Sequence, residues 1–243
     1  MVSKAYARKI ENCAKSLGAV LVGFADLSLI REGWLPRFPE NLLDMFPYGV
    51  SIAVKLPDPV IDMITPESPG PLYGHVYRTA NALLDDIAMA VAGVIEAEGY
   101  RALPIPASLI LTEERLLGNL SHKAVARAAG LGWIGRNCLL ITPQYGPRVR
   151  FATVLTDMPL PTGEPMENQC GNCWECVEAC PTGALKRLNF KDIPPSREHL
   201  LDPHACWERL KDMKADPLIN AFICGMCVKV CPWGKKEKPK GLK

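Results

Sequence analysis

The stretch CGNCWECVEACP, Cys170 to Pro181, sets four cysteines in the order C-x2-C-x2-C-x3-C-P, and CGMCVKVCPWG, Cys224 to Gly234, repeats it with one cysteine fewer. No other feature of the 243-residue chain limits its possible folds so tightly. In the bacterial two-cluster pattern, the first three thiolates of a cassette hold one cubane and the fourth crosses to the other. That swap gives Cys170, Cys173, Cys176 and Cys231 to one [4Fe–4S] cluster. It leaves Cys180, Cys224 and Cys227 for a second, one ligand short. Cys206, in LDPHACWERL, is the remaining cysteine nearest the cassettes and completes the set. Tetrahedral zinc also uses C-x2-C pairs, but the x3-Cys-Pro endings at Cys180 and Cys231 belong to the cubane pattern.

Eight of the ten cysteines lie between Cys170 and Cys231, mostly at spacings too short for an ordinary disulfide framework. A metal framework in a reducing compartment fits them better. The chain has no run of 18 apolar residues, and its charged, amphipathic start does not resemble a signal sequence, so a cytoplasmic protein with no membrane span is expected. A formal net charge of +2 argues against a broad nucleic-acid-binding face. The basic end KKEKPKGLK is expected to be a solvated tail.

Ahead of the cysteines the pattern is α/β. Tyr6, Ile10, Cys13, Ala14 and Leu17 recur at helical spacing with Gly18 as a stop, which places Cys13 in a core. AVLVGFADL and GVSIAVKLP have the composition of buried strands, separated by the loop REGWLPRFPENLLDMFPY. A long helix is expected from Tyr77 to Glu98, burying Leu84, Ile87, Val91, Val94 and Ile95 and ending at Gly99. SHKAVARAAG predicts a short helix with Ser121 as N-cap and Gly130 as stop. NCLLIT and RVRFATVLTD flank the turn PQYGP and are expected to pair as a hairpin, with Cys138 a structural residue of its first strand. The proline-rich MPLPTGEPMENQ marks a linker, giving an α/β (α+β) cofactor-binding domain over 1–160 and a bacterial-type two-[4Fe–4S] ferredoxin-like domain over 161–243.

GLGWIG, at Gly130 to Gly135, matches the G-x-G-x-x-G dinucleotide fingerprint, but a helix precedes it and a strand follows. The fingerprint needs the reverse order, so that the pyrophosphate meets a helix N-terminus. These glycines are expected to serve close backbone approach or positive φ instead. His75, His122, His199 and His204 are scattered, with none at metal-ligand spacing.

Two cubanes relay single electrons and do not by themselves select an organic substrate, which leaves the long α/β part to hold a second redox cofactor. AVARAAGLGWIGRNCLLITPQYG, then TDMPL, CGNCWECVEACPTGAL, LDPHACWERL and CGMCVKVCPWG, resemble in order the epoxyqueuosine reductase family, relatives of the reductive dehalogenases. The resemblance implies an α/β domain holding a base-off cobalamin beside a double-cubane domain, and it supports Cys206 as eighth ligand. It also implies an activity: electrons pass through the clusters to the corrinoid, which reduces a small substrate. Gly132, Trp133, Gly135, Arg136 and Asn137 match the family's loop and are expected near the corrinoid, Arg136 and Asn137 open to a ligand.

Two departures accompany the likeness. The family's Asp-Thr/Ser-x-Pro stretch, with its proton-donating aspartate, is absent from LTEERLLGNLSH, where Leu116 takes the counted position and the nearest acids, Glu113 and Glu114, are expected to be solvated. The chain stops at Lys243, where many relatives continue into a helical-repeat region that helps hold tRNA. That argues against tRNA as a partner, leaving a small-molecule substrate or corrinoid protein, with a ferredoxin or flavodoxin as low-potential electron donor. An electron-transfer protein or corrinoid-protein activator without its own organic substrate is the alternative.

Overall fold

The computed structural model describes residues 2–30, 34, 42–111, 116 and 118–235. The chain divides into two compact units. One comprises residues 1–55, 81–132 and 150–166, and the other 56–80, 133–149 and 167–243. Among the described residues no helix is long and apolar enough to cross a membrane.

The first unit is built on a four-stranded sheet. Helix α1 (Val2–Ser16) precedes β1 (Leu21–Asp26), and a short helix α2 (Leu42–Met45) precedes β2 (Tyr48–Lys55). The long helix α4 (Pro71–Glu96) gives its second half to this unit, followed by β3 (Ala102–Ile105), α5 (His122–Ala128) and β6 (Val149–Thr156). The sheet order is β1-β2-β6-β3, with β1 antiparallel to β2 and β3 antiparallel to β6. The inner strands β2 and β6 are buried at nearly every position, as strands covered on both faces are. β3 lies at the edge, where Pro104, which cannot donate to a ladder, is tolerated.

Most of the expected elements are present, with physical reasons for the differences. Ile10 and Ala14 are fully buried on α1, but Cys13 is only half-buried and Leu17 is 45% exposed, because the helix ends before it. α4 begins six residues before Tyr77, and Gly99 leaves it with φ +85°. Its residues Leu84, Ile87, Val91 and Ile95 are fully buried, each contributing roughly 1.5–3 kcal/mol. Part of the expected loop before β2 is helical: α2 buries Leu42 there, and Phe46 just beyond packs into the same core. Glu113 and Glu114, and the tail after Lys235, lie outside the described residues.

The second unit comprises α3 (Asp58–Asp62), the first half of α4, the hairpin β4 (Trp133–Ile134) and β5 (Leu140–Ile141), and the cysteine-rich segment. That segment carries α6 (Glu175–Glu178), α7 (Pro203–Ala215) and α8 (Met226–Lys229). β5 pairs with β4 and not with β6, so the expected hairpin around PQYGP does not form; only a single bridge, Thr142 to Gly146, marks that turn. Cys138 accordingly sits in the tight β4–β5 turn at φ +58°, buried, and not within a strand.

Candidate iron–sulfur centre

The two cassettes fold alike. Each follows its first cysteine with a glycine in the left-handed region, Gly171 at φ +56° and Gly225 at φ +81°, which turns the chain into a one-turn helix, α6 or α8. Cys176 rides on α6 and Cys227 on α8. Cys206 enters on the first turn of α7, fixed by Pro203 and by the Asp202 carboxylate, which accepts from the His204 and Ala205 amides. Lys186 N–H donates to Leu200 O and Asp202 N–H to Ala184 O, both at 2.8 Å, tying the approach to α7 onto the chain leaving the first cassette.

The cassette thiols lie close enough together to act on one another. Cys231 is pushed up to about 12 by burial and then by its neighbours Cys170, Cys176 and Cys173. Cys176 is likewise pushed up to about 12 by burial and by Cys170 and Cys173. Cys227 is raised well above the ordinary thiol range by burial, then by Cys224 and Cys206, and further by Cys176 and Cys180. Cys170, Cys173, Cys176 and Cys231 are thus neighbours, and Cys227 has Cys224, Cys206, Cys176 and Cys180 around it. Among the described residues no three His, Cys, Asp or Glu side chains crowd round one point as the ligands of a single ion would. The first four thiols line a small cavity instead, walled by Arg136, Asn137 and Trp233.

Donors surround the sulfurs. Burial raises the Cys170 thiol against the Arg136 backbone N–H, which favours the thiolate, while the buried Trp133 Nε1–H makes no hydrogen bond among the described residues. At Cys180 burial also works upward, yet the Leu185, Thr182 and Ala184 amides and the Thr182 hydroxyl outweigh it and leave the thiol below its ordinary value. Arg209 Nε donates to Cys224 Sγ at 3.4 Å.

The β4–β5 turn fastens both cassettes. Arg136, 6% exposed, donates to Cys173 O at 2.7 Å and Asn189 Oδ1 at 2.6 Å, and its guanidinium lies 3.8 Å from the Trp174 ring centroid. Asn137, 4% exposed, donates to Cys227 O at 3.2 Å while its Oδ1 accepts from Leu139 N–H. These side chains are therefore engaged with backbone, unlike the open groups expected from sequence: two adjacent polar residues satisfy carbonyls that burial would otherwise strand. Trp133 is fully buried and meets Trp233 edge-on with centroids 4.7 Å apart. Gly135 admits no side chain, since a Cβ there would stand 2.6 Å from Ile141 Cγ1. Gly130 has φ +72°, and α5 precedes GLGWIG while β4 lies within it and β5 follows, with no helix opening there as a dinucleotide turn needs.

Residues that sequence inspection passed over also serve the centre. Asn168 Oδ1 accepts from Cys170 N–H at 2.7 Å and its amide donates to Ile134 O. Arg148, 2% exposed, pairs with Asp58 and Asp62 and packs against Gly234 at the end of the second cassette. Arg209 had a readable signal, lying three residues after Cys206 and so on the same helical face.

In the first unit a separate cavity is lined by residues 105–110, 118–120 and His122. His122 is held by Pro106 O at 3.0 Å and Thr153 Oγ1 at 2.9 Å. The carbonyl can only accept, so Nε2 carries the proton and Nδ1 accepts. Burial, and less so Arg150, push this histidine down to about 4 against the Pro106 carbonyl. Leu109, Ile110 and Leu111 stay about 40% or more exposed beside it.

An α/β region precedes a cysteine-rich region with the family match of a double-cluster iron–sulfur domain. Residues 169–234 match the 4Fe-4S double cluster binding domain. The chain closely resembles the epoxyqueuosine reductases. It is 48% identical to the Bacillus anthracis epoxyqueuosine reductase over 119 residues, 49% of this chain and 30% of that protein. It thus matches about a third of the length of that relative. A crystal structure of epoxyqueuosine reductase with a tRNA-Tyr epoxyqueuosine-modified stem loop is similar with a TM-score of 0.60 and 25% identity, over 97% of this chain and 67% of that one. The catabolic reductive dehalogenase NpRdhA shares the fold, with a TM-score of 0.69 at 20% identity over 96% of this chain and 32% of its own. The tRNA-bound structure overturns the expectation against tRNA, because two thirds of that protein has its counterpart here.

Proposed function

We propose that the chain is an iron–sulfur oxidoreductase of the epoxyqueuosine-reductase type, acting on a small or tRNA-linked substrate. The convergence of Cys170, Cys173, Cys176 and Cys231 on one small cavity, within the match to a 4Fe-4S double cluster binding domain, carries this reading. Cys170, Cys173, Cys176 and Cys231 hold one [4Fe–4S] cluster, and Cys180, Cys206, Cys224 and Cys227 the other, within a region spanning 161–243. The thiols suit such clusters because they are buried or half-buried, four of them converge on one cavity, and Cys170 and Cys180 meet N–H donors that favour their charged form. The clusters supply one-electron transfer, and a cobalamin held by the α/β region, 1–160, supplies the strongly reducing metal that acts on substrate.

The residues of this chain provide position and dryness. Gly132, Trp133, Gly135, Arg136 and Asn137 enter the mechanism through the clusters: Arg136 and Asn137 wall the first set of thiols and fasten a carbonyl in each cassette, and Trp133 excludes water beside Cys170. In the cavity lined by residues 105–110, 118–120 and His122, both ring nitrogens of the histidine are engaged, by Thr153 Oγ1 and Pro106 O.

Anaerobic protein reconstituted with iron and sulfide should take up cobalamin near one equivalent per chain and give the base-off spectrum. Failure to bind any corrinoid in protein that holds its full iron would remove the cobalamin part of the proposal.

A further inference from the structure

The second set of thiols has a feature the first lacks. Arg209 and Cys206 share a face of α7, and the guanidinium is pinned from outside by the turn before α4: one nitrogen donates to Pro66 O and to Glu67 O, the latter at 3.2 Å. That turn is itself closed, with Thr65 N–H donating to Ser68 O at 2.9 Å and Ser68 N–H to Thr65 Oγ1 at 3.2 Å. The remaining Nε–H is thereby aimed at Cys224 Sγ, 3.4 Å away. In the first set the corresponding cation, Arg136, spends its guanidinium on Cys173 O and Asn189 and bonds no sulfur through it.

We propose that Arg209 is a positioning residue for electron transfer, a fixed cationic donor on the Cys224 thiolate that holds up the reduction potential of the second cluster. This rests on the two-cluster reading above. An added electron makes a cluster and its thiolates more negative, and a cationic N–H on sulfur stabilises that reduced state more than the oxidised one. The acidic group on the anchoring turn, Glu67, is exposed, so solvent screens its opposing charge. The guanidinium is half-buried and keeps more of its effect.

The test is an EPR-monitored redox titration of anaerobically reconstituted native, Arg209→Gln and Arg209→Lys proteins, with iron counted in each and the second cluster's signal assigned through a Cys206→Ser variant. Arg209→Gln should lower the reduced-to-oxidised ratio of the second cluster about tenfold at fixed potential, a fall of about 59 mV for a one-electron couple, with the first cluster unmoved. Arg209→Lys, which keeps charge but not the fixed Nε–H, should give a smaller fall. If the Gln variant sheds its second cluster, the Lys variant alone decides: a fall supports the role and the native value overturns it. A second-cluster potential at its native value in variants with full iron, or equal movement of both clusters, overturns it as well. Native protein that never takes up about eight irons would instead defeat the two-cluster reading.

Discussion

The two cassettes are near-copies that end differently. Both turn at a left-handed glycine after the first cysteine, and both carry a one-turn helix. The first ends at Cys180, where four donors favour the thiolate, and the second at buried Cys231, which burial pushes up to about 12. The repeated sequence dictates the local turn, and the surroundings dictate the electrostatics. One turn serves both: Arg136 fastens the first cassette through Cys173 O and Asn137 the second through Cys227 O.

Substitutions in that turn should therefore separate the cassettes. The largest effect is expected for Arg136→Met, which removes two charge-assisted hydrogen bonds, to the half-buried Cys173 carbonyl and to Asn189 at the surface, and costs roughly 3 kcal/mol. Chelator challenge should strip iron from the first cluster before the second; equal loss from both would deny that Arg136 serves one cassette. Gly225→Ala puts a side chain at φ +81° and 2.6 Å from Ile64 Cδ1 and Tyr73 Cε1, for about 2 kcal/mol. It should weaken the second cluster selectively, visible as loss of one of two EPR signals. Asn137→Ala, which removes the bonds to Cys227 O and Leu139 N–H, should do the same more mildly, at about 1.5 kcal/mol.

A fourth expectation belongs to the other unit and should leave both cassettes alone. His122 is lowered to about 4 from 6.5, so the unfolded chain binds the extra proton between those values. Its contribution is full above about 6.5, falls as pH drops, and is gone near 4. Because the residue keeps partial access to solvent, the difference is of the order of 2 kcal/mol. Denaturation at pH 7.5 and 4.5 should show native protein losing about that much more stability than His122→Gln; parallel losses would deny a buried neutral imidazole.

The cysteine spacing made a double-cluster domain legible in the sequence, because the x3-Cys-Pro endings belong to that pattern, and residues 169–234 match such a domain. The buried strands and α5 were legible for a similar reason: local pattern and the Ser121 cap agree with the packing. β3 was hidden by Pro104, which an edge position tolerates but a strand pattern forbids. The pairing of β5 with β4 was hidden because Cys138 adopts positive φ without being glycine, a turn no composition rule signals. The engagement of Arg136 and Asn137 was out of reach for a different reason, since their partners lie 37 and 90 residues away.

In the proposed assignment Cys206 joins Cys180, Cys224 and Cys227 around a second cluster while Cys138 holds no metal. Iron and sulfide counts on anaerobically reconstituted Cys206→Ala and Cys138→Ala test it directly. Iron in Cys206→Ala should fall from about eight per chain to about four, or to about seven if the cubane loses one corner, and Cys138→Ala should keep about eight. Full iron with two unaltered EPR signals in Cys206→Ala, and loss instead in Cys138→Ala, would contradict it.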